Sequence, residues 1–451
     1  MTQRIEDRKG KSPGRKSLAA GERFTSIATR VGPATWLFAA SVLAVAGCGS
    51  PHAEFRRYET YAHKVVTSVG IPEEPNERRQ WERWWREARQ EVDEILQALF
   101  GTPDEPALPD VEGINSLVRL SRLEMAAGPV GSDQDGRPRG LYREHCAHCH
   151  GVTGDGAGPT AAFLNPYPRD YRKGQFKFKS TPVGARPTHS DLKKILLEGI
   201  PGTAMPSFQL LPDLEVEALV DYVKYLAIRG EVERRLLSAA AELDVGGRLI
   251  AKEAGSNKEE RDGQIAAIKE MVAETVARWT AAEGQVVEIP PRPSMTAEEL
   301  SASIQRGRTL FYGTVANCVK CHGDSALGDG QTTDYDEWTK EFIGDGKDPK
   351  LVATYVSLGM LPPRTIRPRN LRLGIYRGGM RPIDLYWRIK NGIEGTPMPA
   401  ATMKPEGDPH AKGLTPEDIW DLVNYVQALP YESINNPLKA AQEAQNIRER
   451  L

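Results

Sequence analysis

Apolar residues recur at helical spacing in two similar stretches, one near the middle of the chain and one near its end. The first stretch covers 216–226 and the second covers 419–429. Both follow the i, i+3, i+4, i+7 spacing of a helix that buries one face. Thr415 and Pro416 supply an N-cap residue and a first-turn proline before the second stretch. The pattern predicts two helices of one kind.

Other segments also predict helices. The spacing of Thr296 and Glu299 is that of a capping box, and it predicts a helix that runs on through 307–311. Residues 76–100 predict a charged amphipathic helix, which would either dock a partner subunit or pack on its neighbours within the chain. Two further helical stretches between 231 and 292 predict a spacer. Since the loops are rich in Gly and Pro and lack strand alternation, the expected fold class is all-α.

The chain contains an internal repeat. The pentapeptide 146–150 (CAHCH) recurs at 318–322 (CVKCH), and Gly-Thr-x-Met-Pro occurs at 202–206 and again at 395–399. A repeat of this size predicts two copies of one domain. The separation between matching residues grows by 28 from the His150/His322 pair to the Pro168/Pro368 pair, which places an insertion near 329–368 of the second copy.

Cys-x-x-Cys-His is the attachment signature of a c-type haem. Two matches predict two covalently bound haem c groups. The predicted thioether cysteines and axial histidines are Cys146, Cys149, Cys318, Cys321, His150 and His322.

The opposite axial position needs a second ligand or stays open. Met205 and Met398 are the candidates, because they occupy matched positions in Gly/Pro-rich loops where ordinary core packing is not expected. Met360 and Met380 are the rivals for the second iron. A His/Met pair fills the coordination sphere, so the iron is suited to moving single electrons.

The N-terminal region predicts export. Residues 1–30 hold eight Lys/Arg against three Asp/Glu, and 31–51 contain no charge. The apolar run is too short to span a bilayer comfortably and fits a signal h-region. This run covers 36–46, and the sequence 45–48 at its end resembles a lipoprotein lipobox, which implies lipidation of Cys48. The alternative is an uncleaved anchor. Either one tethers the protein to the periplasmic side of a bacterial membrane.

Composition narrows the partners only slightly. The 451 residues carry a formal net charge of −2, so nothing favours nucleic acid as a partner. Four cysteines are assigned to haem and the fifth to lipid, which leaves none for a disulfide. Residues 169–179 hold five Lys/Arg, which form either a positive rim for an acidic redox partner or a solvated loop.

Each copy resembles a class I cytochrome c domain, with a first helix, Cys-x-x-Cys-His-Gly, a loop methionine before proline and a closing helix with a tyrosine. The resemblance implies a contact from Arg169 and Arg369 to haem propionates, with loop packing as the alternative. The expected divisions, in chain order, are an export signal or anchor at 1–48, a helical segment at 49–131, the first domain at 132–230, a spacer at 231–295, the second domain at 296–435 and a tail at 436–451.

The tandem arrangement is similar to dihaem cytochromes c of bacterial respiratory chains. This resemblance implies electron transfer with redox partner proteins, either a soluble cytochrome or a membrane complex that oxidises quinol or reduces oxygen. The alternatives are a cytochrome subunit of a periplasmic dehydrogenase and a dihaem peroxidase. A peroxidase would need one haem with an exchangeable site, and the methionine motif in both copies argues against it.

Overall fold

The computed structural model describes residues 52–132, 136, 138–252, 258–408, 410–432, 442 and 445–450. Cys48, the predicted signal or anchor and most of the predicted tail lie outside these residues. In the described part of the chain, no helix combines the length and apolar character needed to cross a membrane.

The fold is all-α, as the sequence predicts, with a single antiparallel pair of two-residue strands in the described residues, β1 (Gly131–Ser132) and β2 (Pro138–Arg139). The helices before the second copy are α1 (Glu59–Val69), α2 (Pro75–Phe100), α3 (Ile114–Leu117), α4 (Leu120–Ala126), α5 (Leu141–His145), α6 (Ala147–His150), α7 (His189–Glu198), α8 (Asp213–Ala241) and α9 (Lys258–Thr280). Those that follow are α10 (Ala297–Tyr312), α11 (Val319–His322), α12 (Glu337–Ile343), α13 (Pro349–Ser357), α14 (Pro382–Asn391) and α15 (Pro416–Ala428). Short 3-10 turns lie at Ala161–Phe163, Tyr171–Lys173, Ala281–Gln285, Leu371–Leu373 and Leu429–Tyr431.

The first copy is built around α8, whose residues are buried along most of its length. Helices α1, α2, α4, α7 and α9 all pack against it. Tyr142 of α5 lies against Tyr222 of α8 with ring centroids 4.9 Å apart. One apolar core therefore joins the N-terminal segment, the first copy and the spacer.

The structure decides two expectations, the role of the helix at 76–100 and the domain boundary at 230. Helix α2 packs within the chain rather than forming a free docking surface: Trp84 and Trp85 are buried, and the Trp84 indole donates to the Gly247 carbonyl at 2.9 Å. The expected division at 230 falls inside α8, because this helix continues without a break to Ala241. The spacer thus begins as an extension of the closing helix of the first copy.

The second copy has its own core, centred on the crossing of α10 and α15. Thr296 and Thr415 cap these two helices with capping boxes, which confirms both predicted starts. Gly307 lies at the crossing, where a Cβ would overlap the Asp421 carbonyl. Only glycine lets the two backbones approach this closely.

The insertion of the second copy folds into α12 and α13 and packs on the first copy and the N-terminal segment. Glu341 of α12 accepts from Lys64 at 2.9 Å and Arg234 at 2.7 Å, and it also pairs with Lys173. The described residues from Ala53 onward form one compact unit. The two copies therefore lie directly against each other, which the sequence does not reveal.

Candidate functional site

Each Cys-x-x-Cys-His segment forms one helical turn. The His150 amide donates to the Cys146 carbonyl at 2.8 Å, and the His322 amide donates to the Cys318 carbonyl at 2.9 Å. The turn brings the cysteines and the histidine of each copy to the wall of one cavity. Burial raises the pKa of the Cys146 and Cys318 thiols to about 12. Apolar surroundings of this kind suit an uncharged thioether better than a thiolate.

Both histidines are held in the form that binds a metal. Nδ1 of His150 lies 3.1 Å from the Arg169 carbonyl, and Nδ1 of His322 lies 3.4 Å from the Arg369 carbonyl. A carbonyl only accepts, so Nδ1 carries the hydrogen and the lone pair is on Nε2. Burial lowers the pKa of His150 to about 4 and also lowers that of His322, so both rings are neutral at pH 7.

The two methionine loops have the same internal hydrogen bonds. The Met205 amide donates to the Thr203 hydroxyl at 3.1 Å, and the Thr203 hydroxyl donates to the Ile200 carbonyl at 2.7 Å. The matching distances at Met398 and Thr396 are 3.2 and 2.8 Å. The Ile200 amide closes the first loop onto the Met205 carbonyl at 3.1 Å. Glycine, threonine and methionine thus recur at this spacing because together they form a turn that holds the methionine in place.

A single cavity of about 770 Å³ reaches both sites. Its wall contains both cysteine pairs, both histidines, Met205 and Met398. Met360 lies at a separate, smaller pocket, and Met380 is 52% exposed. Of the four candidate methionines, the structure places Met205 and Met398 in the cavity wall. It places neither Met360 nor Met380 there.

This wall fits a large apolar macrocycle with acidic edges. It is mostly apolar, and none of its described residues is Asp or Glu, whereas seven are Lys or Arg. Haem has an apolar ring and two carboxylates, and its iron takes imidazole and thioether ligands. The residues that would hold it are the two cysteines, the histidine and the methionine of each copy.

Comparisons with known proteins agree with this geometry. The cytochrome c family matches the chain in two regions, residues 138–227 and 304–430. The chain carries two tandem cytochrome c domains. No curated protein matches it significantly.

One solved structure is similar to the chain, that of the Kuenenia stuttgartiensis reducing HAO-like protein complex. It shares 22% identity and covers 67% of this chain and 98% of its own, with a TM-score of 0.41. A score of this size does not establish a common fold.

The sequence does not reveal which groups orient the two histidines of the cytochrome c domains. It singles out Arg169 and Arg369 for their side chains, but the main-chain carbonyls of these residues orient the histidines. No residue pattern marks a carbonyl, since every residue has one. Tyr171 stacks on the His150 ring at 4.8 Å, and Leu371 occupies the matching position in the second domain.

The five basic residues of 169–179 form neither a positive rim nor a solvated loop. Arg172 is buried and pairs with Asp170 at 2.8 Å. Lys173 pairs with Glu341, and Lys179 pairs with Glu394 of the second domain. Three of the five charges are thus paired within the chain, two of them with the second domain, and Arg169 and Lys177 line the cavity, which is why composition alone misplaces them.

Proposed function

We propose that the chain binds two haem c groups and relays single electrons between redox partner proteins. Cytochrome c domains transfer electrons, and the observation that carries the proposal is the shared cavity wall with two cysteine pairs, two histidines and two methionines. When bound, each haem supplies an iron that changes oxidation state by one electron.

The protein's own contribution would be to offer each iron one histidine and one methionine, His150 with Met205 and His322 with Met398. The Arg169 and Arg369 carbonyls fix the histidine rings, and internal hydrogen bonds hold the two methionine loops in the wall of the same cavity. A filled coordination sphere leaves no position for peroxide, which favours a relay over a peroxidase.

The decisive experiment is expression with a cytochrome c maturation system, followed by intact-mass measurement and optical spectra. We expect two haems per chain and low-spin ferric iron. Cys149→Ala and Cys321→Ala should each impair attachment at one site, with Ser116→Ala, outside the cavity wall, as a control that retains both haems. One haem in the wild type contradicts the dihaem proposal, and a high-spin ferric signal favours the peroxidase.

We also propose that the protein is tethered at Cys48 to the periplasmic side of a bacterial membrane, where it serves a respiratory complex. The lipobox-like sequence supports the tether. Cys48→Ala should move the exported protein from the membrane fraction to the soluble periplasm, with Ser50→Ala as the control. Co-purification from solubilised membranes identifies the partner, and recovery with a dehydrogenase instead of a respiratory complex would replace that part of the proposal.

A further inference from the structure

Five of the seven Lys and Arg side chains in the cavity wall are at least partly buried and have no carboxylate partner in the described part of the chain. These residues, called the cationic cluster below, are Arg169, Lys177, Arg369, Arg377 and Arg388. Most other buried cations in the described residues are paired with a carboxylate, as Arg229 is with Glu233 at 3.0 Å. An unpaired cation away from water is unfavourable, so a wall of this kind is suited to a ligand that brings negative charge.

The hydrogen-bonding groups of the cluster are also incompletely used. The Nε atoms of Arg369, Arg377 and Arg388 are buried without an acceptor, and so is Nη1 of Arg388. Burial lowers the pKa of Arg169 and Arg388 to about 10 and that of Lys177 to about 7. Guanidinium N–H groups that line a cavity and have no acceptor are available to donate to carboxylates. One guanidinium group binds one carboxylate through two parallel hydrogen bonds.

The cationic cluster contains residues of both domains, and two of its arginines reach toward the other domain. The Arg369 guanidinium of the second domain lies against Gly202, in the loop of Met205, so closely that a Cβ there would collide with it. The Arg169 guanidinium of the first domain lies 3.3 Å from the ring centroid of Trp338.

Trp338 completes a reciprocal arrangement. Its ring lies on Gly395, in the loop of Met398, where a Cβ would overlap it. Since Arg169 matches Arg369 in the repeat and Gly202 matches Gly395, each domain sends the same arginine toward the methionine loop of the other. In one direction the contact is direct, and in the other the inserted Trp338 mediates it.

We propose that the cationic cluster is one shared binding site for the propionate carboxylates of both haems. This inference rests on the dihaem function proposed above. The cations of each domain then act on both irons, because they line a single cavity that reaches both sites. Reduction adds negative charge, so nearby cations favour the reduced state and raise the potential.

The test is a redox titration of the holoprotein that follows the two reduction waves separately. Arg369→Gln removes a charge but keeps the main-chain carbonyl that orients His322. It should lower both potentials, and Arg377→Gln should do the same. The control is Lys350→Gln, an exposed cation on α13 outside the cavity, which should leave both waves in place.

Each result has one meaning. If intact mass shows two haems and only one wave moves in both glutamine variants, each cation serves one haem and the shared site is wrong. Arg369→Lys should restore both waves toward the wild-type values, and a lysine variant that behaves like glutamine shows that packing rather than charge is responsible. A wild-type chain with fewer than two haems instead overturns the underlying proposed function.

Discussion

At the scale of the residue, the chemistry of each site depends on a few atoms that are fixed by short-range hydrogen bonds. The Thr203 hydroxyl connects Ile200 to Met205 within six residues of chain, and Thr396 does the same for Met398. The neutral histidines present Nε2 because Nδ1 is committed to a carbonyl. The orientation of each candidate ligand therefore follows from local geometry.

Replacing a methionine ligand should shift the potential of one haem. Met205→His and Met398→His exchange a thioether for a nitrogen ligand, which lowers the reduction potential. We expect one wave to fall by about 0.1 V or more in each variant, since axial ligation tunes haem potentials over about 0.8 V. Met380→His, at an exposed position outside the cavity wall, is the control. If Met398→His leaves both waves unmoved, another group ligates the second iron.

Gly307→Ala should destabilise the second domain. The added methyl group overlaps the Asp421 carbonyl where α10 crosses α15, and overpacking of this kind costs about 1–3 kcal/mol in the free energy of unfolding. Denaturant unfolding followed by circular dichroism measures the loss. Gly284→Ala, where a Cβ meets nothing within 4 Å, is the matched control. Equal stability of the two variants would show that the helices separate easily at this crossing.

At the scale of the element, the insertion of the second domain consists of α12 and α13, and it holds the two domains against each other. It is called the clasp below. One face of α12 places Glu341 among Lys64, Lys173 and Arg234, and its first turn places Trp338 on Arg169. A segment that has no counterpart in the first domain thereby fixes how the two domains meet.

The clasp should weaken in acid. Burial raises the pKa of Glu341, but hydrogen bonds and the charges of Arg234 and Lys173 outweigh it and lower the pKa to about 2. The folded carboxylate holds its proton less tightly than the unfolded one, whose pKa is 4.5. Its stabilisation is therefore complete above about pH 4.5 and is lost as the pH falls toward 2.

Glu341→Gln should lower the free energy of unfolding at pH 7 by about 2 kcal/mol, the scale of hydrogen bonds to a charged group. The difference from wild type should shrink between about pH 4.5 and pH 2. Urea unfolding across this range measures it. Glu337→Gln, exposed on the same helix, should retain wild-type stability at pH 7. A difference for Glu341→Gln that is constant with pH would mean that the carboxylate charge is not what stabilises the clasp.

At the scale of the whole molecule, the N-terminal segment, first cytochrome c domain and spacer share one core, and the second domain packs against them through the clasp and the cationic cluster. Trp279 of the spacer is 2% exposed, and its indole donates to Glu231 at 2.8 Å. Its ring contacts Phe176, which stacks on Tyr171 beside His150. The spacer is thus part of the first haem site's support.

Trp279→Ala should destabilise the first domain rather than loosen a linker. Removing a buried aromatic side chain costs about 3–5 kcal/mol, and here it also leaves Glu231 without one of its donors. Thermal unfolding of the holoprotein, followed at the haem absorption band, should show an earlier transition. Val286→Ala, at a 40% exposed spacer position, should leave the transition unchanged. If Trp279→Ala has no more effect than Val286→Ala, the spacer is independent of the core.

The sequence alone determines the all-α fold, the repeat and the expected ligands, because attachment, capping and the methionine turn each depend on residues only a few positions apart. Only the tertiary structure decides what the insertion does, where the basic residues of 169–179 go and how the two sites come to share a wall. Those contacts join residues far apart in the chain, such as Arg169 with Trp338 and Lys179 with Glu394. The buried Lys179–Glu394 pair has no local signature, since each partner alone reads as an ordinary surface residue until the fold removes both from water.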